Sequence, residues 1–280
     1  MNETQLWVTP QRLAKKSSTD TERVPHPHTT FPSDRSRTET SFAMDRPAED
    51  PSQLSVIDLR KSYRKGSIEI PVLCGVELSV FQGEFLSVIG QSGSGKSTLL
   101  HLLATLDTPD TGQICFQGKR IDNLIAAPRD KLRNKHFGMI FQFYHLLPEL
   151  TMVENVLLPI MIAESSWSYL RRRTEHFGRA KDLLQRVGLE HRLKHKPREL
   201  SGGELQRAAI ARALIAQPDV LFADEPTGNL DKATGEEIIT ILRSLKCAQN
   251  LTIVMVTHDP SIAAGADRSV RLVEGMVETI

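Results

Sequence analysis

Short apolar runs alternate with amphipathic stretches along most of the chain. Residues 85–89, 220–223 and 251–256 are nearly continuous apolar runs, typical of strands that are buried on both faces. The first run leads through a glycine-rich loop to a predicted helix with Leu99, Leu100, Leu102, Leu103 and Leu106. A helical pattern precedes each of the other two runs. Strands that alternate with helices predict an α/β fold with a mainly parallel, doubly wound sheet.

Two segments depart from this alternation. Residues 54–59 predict an edge strand of an antiparallel part of the sheet, followed by a turn at Arg64-Lys65-Gly66. The interval from about 148 to 198 has a helical period and contains no strand-like run. It therefore predicts a helical subdomain inserted into the α/β core.

The first 52 residues have a different composition from the rest. They are rich in Ser, Thr, Pro, Asp, Arg and His, and their apolar residues are scattered singly. Such a segment buries too little apolar surface to offset its ordering entropy, so residues 1–52 are predicted to be a disordered tail and residues 53–280 the folded domain. Met44 leaves open a second start of translation. We expect the first 43 residues to be dispensable for the activity of the folded domain.

Bulk composition excludes several classes of protein. The chain has 35 basic and 34 acidic side chains, so no overall field attracts it to nucleic acid. Cys74, Cys115 and Cys247 lack metal-ligand spacing and suit a reducing compartment. No apolar stretch approaches the roughly 20 residues that cross a bilayer. If this protein moves a molecule across a membrane, another chain must provide the path.

A phosphate-binding loop is the first chemical motif. It consists of Gly90, Gln91, Ser92, Gly93, Ser94, Gly95, Lys96, Ser97 and Thr98, and it lies between a strand and a helix, as the motif requires. The glycines let the backbone wrap closely around phosphate, and the N–H groups at the helix start supply positive potential. Lys96 is expected to reach the β- and γ-phosphates of ATP, and Ser97 to ligate Mg²⁺. Kinases, GTPases, helicases and transport motors all use such loops.

A second motif ends the apolar run at residues 220–223, where Asp224 and Glu225 follow. This pattern resembles a Walker B strand. We expect Asp224 to point at the Mg²⁺ shell, through water, and Glu225 to polarise the attacking water. An ordinary strand end with acidic residues that cap the next turn is the alternative.

Among the classes of protein that use a phosphate-binding loop, the run Ser201-Gly202-Gly203-Glu204 distinguishes most sharply. Ser201 is in the N-cap position of a predicted helix over residues 204–216, so one interpretation is a capped helix and nothing more. Together with Leu200, however, the run matches the signature sequence of ABC ATPases, in which two cassettes close on ATP. The resemblance implies that Ser201, Gly202, Gly203 and Glu204 bind the γ-phosphate of an ATP held by a second copy of the chain, head to tail.

The same resemblance assigns roles to four single residues. Gln142 resembles the Q-loop glutamine that touches Mg²⁺ and moves with the helical subdomain, and His258 resembles the switch histidine that contacts the γ-phosphate. Asp231, in Asn229-Leu230-Asp231, resembles the D-loop residue that crosses the dimer interface. Tyr63 resembles the aromatic residue that stacks on adenine. Each has a structural alternative: a loop residue, a strand-end residue, a helix cap, and a ring packed on its own hairpin.

The resemblance covers residues 54–280 and extends to a subgroup. The stretches 142–156, 102–107 and 223–231 are similar to the group that contains macrolide-exporter and lipoprotein-releasing ATPases, and Leu147-Pro148 and Leu158-Pro159 favour the latter. The resemblance implies an ATPase subunit that drives release of lipoproteins from the bacterial inner membrane toward a periplasmic carrier. It also implies a peripheral position on the cytoplasmic face, beneath two transmembrane permease subunits through which all membrane contact is made. The polar N-terminus and the basic residues at 171–173 depart from the pattern.

Other functions within the ABC family stay open. A macrolide-exporter-like or cell-division-type complex would use the same ATPase. ABC ATPases of DNA repair separate their motifs by a long coiled coil, but only 105 residues separate Lys96 from Ser201. Ribosome-associated members usually carry two cassettes, and many importer ATPases carry a regulatory domain after the switch histidine, whereas 22 residues follow His258 here.

Overall fold

The computed structural model describes residues 52–279. In chain order the elements are β1 (Ser52–Lys65), β2 (Ile68–Phe81), β3 (Phe85–Ile89), α1 (Lys96–Leu103), β4 (Thr111–Phe116), β5 (Lys119–Arg120), α2 (Ala126–His136), β6 (Phe137–Ile140), α3 (Met152–Ala163), α4 (Ser166–Arg186), α5 (Gly202–Leu214), β7 (Val220–Asp224), α6 (Lys232–Gln249), β8 (Thr252–Thr257), α7 (Pro260–Ala263), β9 (Arg268–Val273) and β10 (Met276–Thr279). The predicted disordered tail, residues 1–52, lies outside the described residues except for its last residue, Ser52, which is the first residue of β1.

A six-stranded sheet forms the centre of the protein, with the strand order β10-β9-β3-β8-β7-β6. All neighbouring pairs are parallel except β9 with β10, which is antiparallel. Strand order departs from chain order, so helical crossovers join the parallel strands. The predicted mainly parallel α/β fold is confirmed.

Both faces of this sheet are covered. Every residue of β3, β7 and β8 is buried. Along β8, Ile253 and Met255 join a hydrophobic cluster with residues of α3, α4, α5 and α6, whereas Val254 and Val256 join a second cluster with α1 and the antiparallel strands. Side chains alternate between two apolar layers because successive residues of a strand point to opposite faces. The continuous apolar runs in the sequence follow from this double burial.

A four-stranded antiparallel sheet with the order β2-β1-β4-β5 covers one side. The prediction of an edge strand at residues 54–59 is wrong, because β1 extends over Ser52–Lys65 and lies between β2 and β4. The second partner, β4, follows only after α1, so the local pattern around β1 does not reveal it. Asp58 has a φ of 44°, and the register shifts between Val56 and Leu59, so the strand carries an irregularity at this point.

Helix α1 is shorter than its leucine pattern predicts. It ends at Leu103, so the prediction that Leu106 belongs to it is wrong. Thr105 has a φ of 56°, in the left-handed region where a helix of L-residues cannot continue. Arg133 of α2 donates a hydrogen bond to the Thr105 carbonyl, which stabilises this stop. Leu106 is therefore exposed.

The interval 148–198 contains α3, α4 and two short 3-10 turns, and no strand. Its apolar side chains, such as Val156 and Leu184, belong to the same hydrophobic cluster as Leu221 and Met255 of the parallel sheet. The helices therefore share a core with the sheet, and their behaviour as a separate subdomain stays a prediction. No helix within residues 52–279 is both long and apolar enough to span a membrane.

Asn155 holds the loop that precedes α3. None of the sequence motifs assigns it a role. Its side chain is 0% exposed. The amide oxygen accepts a hydrogen bond from the Leu147 N–H at 2.7 Å, and the amide nitrogen lies 3.0–3.2 Å from the carbonyl oxygens of Leu147, Leu150 and Thr151. A single buried side chain therefore pairs backbone groups of the loop that would otherwise lack partners.

We expect Asn155→Leu to lower the free energy of unfolding by about 1–3 kcal/mol, because the loop's buried N–H and C=O groups lose their partner. Urea unfolding followed by circular dichroism measures this. The control is Asn123→Leu at an exposed position, where a change within about 0.5 kcal/mol is expected. Equal effects of the two substitutions would contradict the structural role of Asn155.

Candidate functional site

One edge of the parallel sheet brings together the phosphate-binding loop, Asp224, Glu225, His258 and Gln142, whereas the predicted residues Ser201 to Glu204 lie at the start of α5. The strands β3, β8, β7 and β6 are adjacent, and their C-terminal ends align through the pairs Ile89 with Thr257 and Asp224 with Val256. The phosphate-binding loop follows β3, and His258 follows β8. Asp224 ends β7 and Glu225 follows it, and Gln142 lies two residues beyond β6. Crevices beyond the carboxyl ends of parallel strands are where doubly wound folds bind ligands.

Glycines allow the backbone conformation of the loop after β3. Gly93 and Gly95 have φ values of 81° and 99°, which L-residues with a side chain rarely adopt. A Cβ atom on Gly90 would lie 2.5 Å from the Leu272 carbonyl oxygen and 2.7 Å from the Ser94 hydroxyl, whereas one on Gly93 would meet no atom within 4 Å. The backbone at Gly90 is therefore packed against β9, while the space over Gly93 is open to a ligand.

Polar groups of the loop point into its interior. The Lys96 side chain is buried, and its ammonium donates hydrogen bonds to the carbonyl oxygens of Gly90 at 2.9 Å and Gln91 at 2.8 Å. The Ser94 hydroxyl is buried and has no hydrogen-bond partner within residues 52–279. An unpaired buried hydroxyl, a buried cation and open space over Gly93 together fit a phosphate group.

A cavity of about 850 Å³ lies against this loop, and His258, Arg271 and Glu274 contribute to its lining. Its size is in the range of small-molecule and cofactor sites. A second cavity, of about 510 Å³, lies beside the residues that precede β7 and β8, at the other edge of the sheet. None of the predicted site residues lines the second cavity.

Ser97 and Asp224 meet in the folded chain although they are far apart in sequence. The Ser97 hydroxyl donates a hydrogen bond of 2.8 Å to one carboxylate oxygen of Asp224, and His101 Nε2 lies 3.5 Å from the other. A hydroxyl and a carboxylate at the mouth of a phosphate-binding loop are oxygen ligands of the kind that Mg²⁺ takes together with nucleotide phosphates. These donors therefore fit the predicted magnesium ion.

Glu225, His258 and Gln142 form the second part of the site. His258 Nδ1 lies 3.2 Å from a Glu225 carboxylate oxygen. A Cβ atom added to Gly228 would lie 3.1 Å from Glu225 Oε2 and 3.3 Å from Gln142 Nε2, so both side chains border the same point. Glu225 has a φ of 44°, a costly conformation for a residue with a side chain, and such strain is concentrated at functional positions.

Ser201 and Glu204 form a capping box at the start of α5. The Ser201 hydroxyl accepts a hydrogen bond from the Glu204 N–H, and the Glu204 carboxylate accepts one from the Ser201 N–H at 2.9 Å. This backbone hydrogen bond, followed by the Ser201 hydroxyl and the Arg192 guanidinium, holds the pKa of Glu204 below its usual value against the opposing effect of burial. Ser201 is exposed, so its predicted role toward a second copy is sterically open.

Asp231 and Tyr63 have structural contacts of their own. The Asp231 carboxylate caps α6 by accepting hydrogen bonds from the N–H and the hydroxyl of Thr234, which lower its pKa. The Tyr63 hydroxyl donates to Asp107 at 2.9 Å, and the pKa of Tyr63 is raised by burial and by this carboxylate, while the Thr98 side chain opposes the rise. Tyr63 is partly exposed beside the phosphate-binding loop, a position compatible with stacking on a base.

Arg212 is a second residue that the motifs did not reveal. It lies on α5 and donates hydrogen bonds to the carbonyl oxygens of Tyr144 and His145, and burial lowers its pKa. Asn229 donates to the Gln142 carbonyl oxygen at 2.8 Å. The segment that carries Gln142 is therefore tied to α5 and to the loop before Asp231. A lone arginine within an otherwise apolar stretch of α5 is the signal that could have found it.

Comparison with protein families decides the class. The family model described as ABC transporter matches residues 73–228. The chain belongs to the ABC transporter family. This ABC cassette is an ATPase that binds and hydrolyses ATP, and the predicted ABC-type resemblance is confirmed.

Known proteins support this membership along most of the chain. The lipoprotein-releasing system ATP-binding protein LolD 2 of Rhodopirellula baltica is 56% identical over 79% of this chain and 86% of its own length. A LolD of Geobacter metallireducens is 47% identical over 81% of this chain and 98% of its own. The macrolide export ATP-binding/permease protein MacB of Syntrophobacter fumaroxidans is 47% identical over 79% of this chain, but only 30% of that protein is matched.

Solved structures show the same architecture. The dimeric structure of MJ0796, a bacterial ABC transporter cassette, superposes with a TM-score of 0.73 and 38% identity, covering 80% of this chain and 96% of that one. A post-hydrolysis dimer of MJ0796 bound to ADP and phosphate also gives a TM-score of 0.73, at 36% identity. The cassette described here therefore has the fold of proteins that form nucleotide-bound dimers.

Gly90→Ala tests the close packing of the loop. The added methyl group would collide with the backbone of β9, and because overpacking costs ~1–3 kcal/mol, we expect binding of a fluorescent ATP analogue to weaken about tenfold or more. The control is Gly178→Ala in α4, where a Cβ atom meets nothing within 4 Å. That variant should bind as the wild type does and melt at an equal or higher temperature. Unchanged binding by Gly90→Ala would contradict the geometry.

Proposed function

We propose that this ABC cassette is the ATP-binding subunit of a lipoprotein-releasing complex. The observation that carries the proposal is its 56% identity, over most of both chains, to a protein named as the ATP-binding component of such a system. In this proposal the cassette drives extraction of lipoproteins from the bacterial inner membrane toward a periplasmic carrier. It lies on the cytoplasmic face as a peripheral subunit, and two transmembrane permease subunits connect it to the cargo.

The loop after β3 and the end of β7 hold the nucleotide in this proposal. The residues of the loop that bind ATP are Gly90, Gln91, Ser92, Gly93, Ser94, Gly95, Lys96, Ser97 and Thr98, with Tyr63 against adenine. Lys96 exchanges its hydrogen bonds with the loop carbonyls for the β- and γ-phosphates. Ser97, Gln142 and Asp224 would hold Mg²⁺, the last through water. When bound, this ion neutralises charge on the β- and γ-phosphates.

Glu225 is the proposed general base. A water molecule beside the γ-phosphate donates a proton to the Glu225 carboxylate while the water oxygen attacks the γ-phosphorus. The bond between the γ-phosphorus and the oxygen of the β-phosphate breaks, which leaves ADP and phosphate. His258, 3.2 Å from Glu225, orients the carboxylate and contacts the γ-phosphate. Gln142 lies near Glu225, and it connects the γ-phosphate site to the segment that Arg212 holds.

A second copy completes each site in the proposal. Ser201, Gly202, Gly203 and Glu204 present the N-terminus of α5, a positive dipole end, to the γ-phosphate bound by the partner. Asp231 lies at the interface between the copies. The dimeric solved structures of a related cassette support this arrangement.

A macrolide-exporter-like function is the second candidate, because a MacB relative is 47% identical over the same share of the chain. Cargo separates the two. Proteoliposomes that contain the cassette with its co-purified membrane subunits should release a labelled lipoprotein to a soluble carrier in an ATP-dependent manner. Efflux of a macrolide without lipoprotein release would overturn the first proposal in favour of the second.

Glu225→Gln tests the general base. We expect ATP hydrolysis to fall by roughly 10²–10⁴-fold while ATP binding is retained, since a positioned base contributes about this much and the amide keeps the shape. A nucleotide-bound dimer should accumulate and be visible by size-exclusion chromatography with ATP. The control, Glu190→Gln, changes an exposed glutamate outside the site and should leave turnover unchanged. Near-normal turnover by Glu225→Gln would rule out this role.

Mixing two inactive variants tests the contribution of the partner. Neither Lys96→Ala nor Ser201→Arg should form an intact site as a homodimer. A heterodimer of the two has one doubly damaged site and one intact site, so ATPase activity should partly return in the mixture. Heterodimer formation is verified with two affinity tags. No recovery of activity in verified heterodimers would show that Ser201 does not act on the partner's ATP.

A further inference from the structure

One side of α4, between Trp167 and Phe177, presents apolar side chains to solvent. Trp167 is 80% exposed and Leu170 62%, and Phe177 is also exposed. A helix turns about 100° per residue, so these three positions lie on one side of α4. Ile162, at the end of α3, is 72% exposed and Met161 beside it is exposed too. We call the surface formed by Met161, Ile162, Trp167, Leu170 and Phe177 the α4 patch.

Packing within the chain does not require these side chains. Other side chains anchor α4, namely the buried residues His176, Ala180, Leu183 and Leu184, and Trp167 lies about 100° or more from each of them around the helix axis. A helix of a globular protein normally carries polar residues on the side away from its core. A group of exposed apolar side chains on one side of a helix marks a site of interaction with a partner or a membrane.

The α4 patch is flanked by positive charge. Arg171, Arg173 and Lys181 are exposed and form no ion pair within residues 52–279. Arg171 and Lys181 lie on the same side of the helix as Trp167 and Leu170, and Arg173 lies next to Phe177 on the wheel. The Glu175 carboxylate is occupied by the Arg172 guanidinium at 2.9 Å. Asp182, next to Lys181, is also exposed and forms no ion pair within residues 52–279. The three cations outnumber this one carboxylate, so the unpaired charge around the patch is positive on balance.

Charge decides between the surfaces that could cover this patch. A second copy packed face to face would bring three cations against the same three cations, which is unfavourable. An anionic lipid surface matches both parts of the patch. Tryptophan and aliphatic side chains enter the region between headgroups and acyl chains, and arginine and lysine contact the lipid phosphates.

We propose that the α4 patch binds the anionic lipid surface of the membrane directly. This rests on the proposed function in that it requires the cassette to lie at the cytoplasmic face, which is negatively charged. It replaces the expectation that all membrane contact is made through permease subunits. The contact is shallow, because a single helix face with a few apolar side chains lies in the interface and does not cross it.

Binding of the full chain to vesicles, without permease subunits, tests the proposal. Vesicles of equal parts phosphatidylglycerol and phosphatidylcholine are compared with pure phosphatidylcholine by co-sedimentation, at low and at high salt. We expect binding to the anionic vesicles only, weakened by salt. The chain has two tryptophans, so in Trp7→Phe the emission reports on Trp167 and should shift to shorter wavelength on binding.

Variants identify the surface. Trp167→Ser with Leu170→Ser, and separately Arg171→Glu with Arg173→Glu, should each weaken vesicle binding about tenfold or more, since each basic residue near an anionic surface contributes appreciably. The matched controls are Ile125→Ser, and Lys119→Glu with Lys135→Glu, which change equally exposed residues elsewhere. All variants should keep basal ATPase activity, since none alters the nucleotide site.

Two results would overturn the proposal. One is equal binding to both kinds of vesicle, or none, by the wild-type chain. The other is that the patch variants bind lipid normally but lose co-purification with the membrane subunits, which would make the patch a protein-binding surface. Lipoprotein release in proteoliposomes is measured separately, so failure of vesicle binding leaves the proposed function standing.

Discussion

Burial of the parallel sheet on both faces is the constraint on which the rest of the structure depends. Every residue of β3, β7 and β8 is buried. Because an unpaired charge is costly to bury, charged side chains are confined to the ends of these strands and to the loops that follow. The register then aligns the ends, with Ile89 opposite Thr257 and Asp224 opposite Val256. The polar residues that follow four separate strands are thereby brought to one edge. The hydroxyl of Ser97 and the carboxylate of Asp224 meet there although 127 residues separate them.

This double burial also explains how much of the fold could be predicted. Fully buried strands appear as continuous apolar runs, and β3, β7 and β8 were predicted to within one residue. The position of β1 was not, because its pairing with β4 joins segments that are distant in the chain and half exposed. The end of α1 was missed because Thr105 is an ordinary residue in an unusual conformation, imposed by tertiary contacts.

The candidate site divides in a similar way. Residues that act through short consecutive motifs, such as Lys96 and Ser201, could be named from the sequence. The motifs gave no role to Asn155, whose side chain bonds to backbone groups 4–8 residues before it, or to Arg212, which bonds to carbonyl groups 67 and 68 residues away. A backbone group has no identity in the sequence, so such a partner cannot be named from a motif. Roles that need a second copy, a nucleotide or Mg²⁺ stay predictions. The caps at Ser201 and Asp231 show that the structural and functional interpretations are compatible, since a capping residue also marks an exposed helix N-terminus.

Hydrogen bonds connect α3 and the chain between α4 and α5 with the start of α5, and so link the surface of α4 with the surface at Ser201. The Met152 N–H donates to the His195 carbonyl oxygen at 2.9 Å, and the Val153 N–H donates to that of Leu193 at 3.1 Å, so α3 is bonded to the chain that leads from α4 to α5. Arg192, in the same stretch, bonds to Glu204 of the capping box at 2.9 Å. A displacement of α3 and α4 must therefore be transmitted to the N-terminus of α5 or break these bonds. A surface contact on α4 and a phosphate contact at Ser201 thus act on one continuous network of packed and hydrogen-bonded elements.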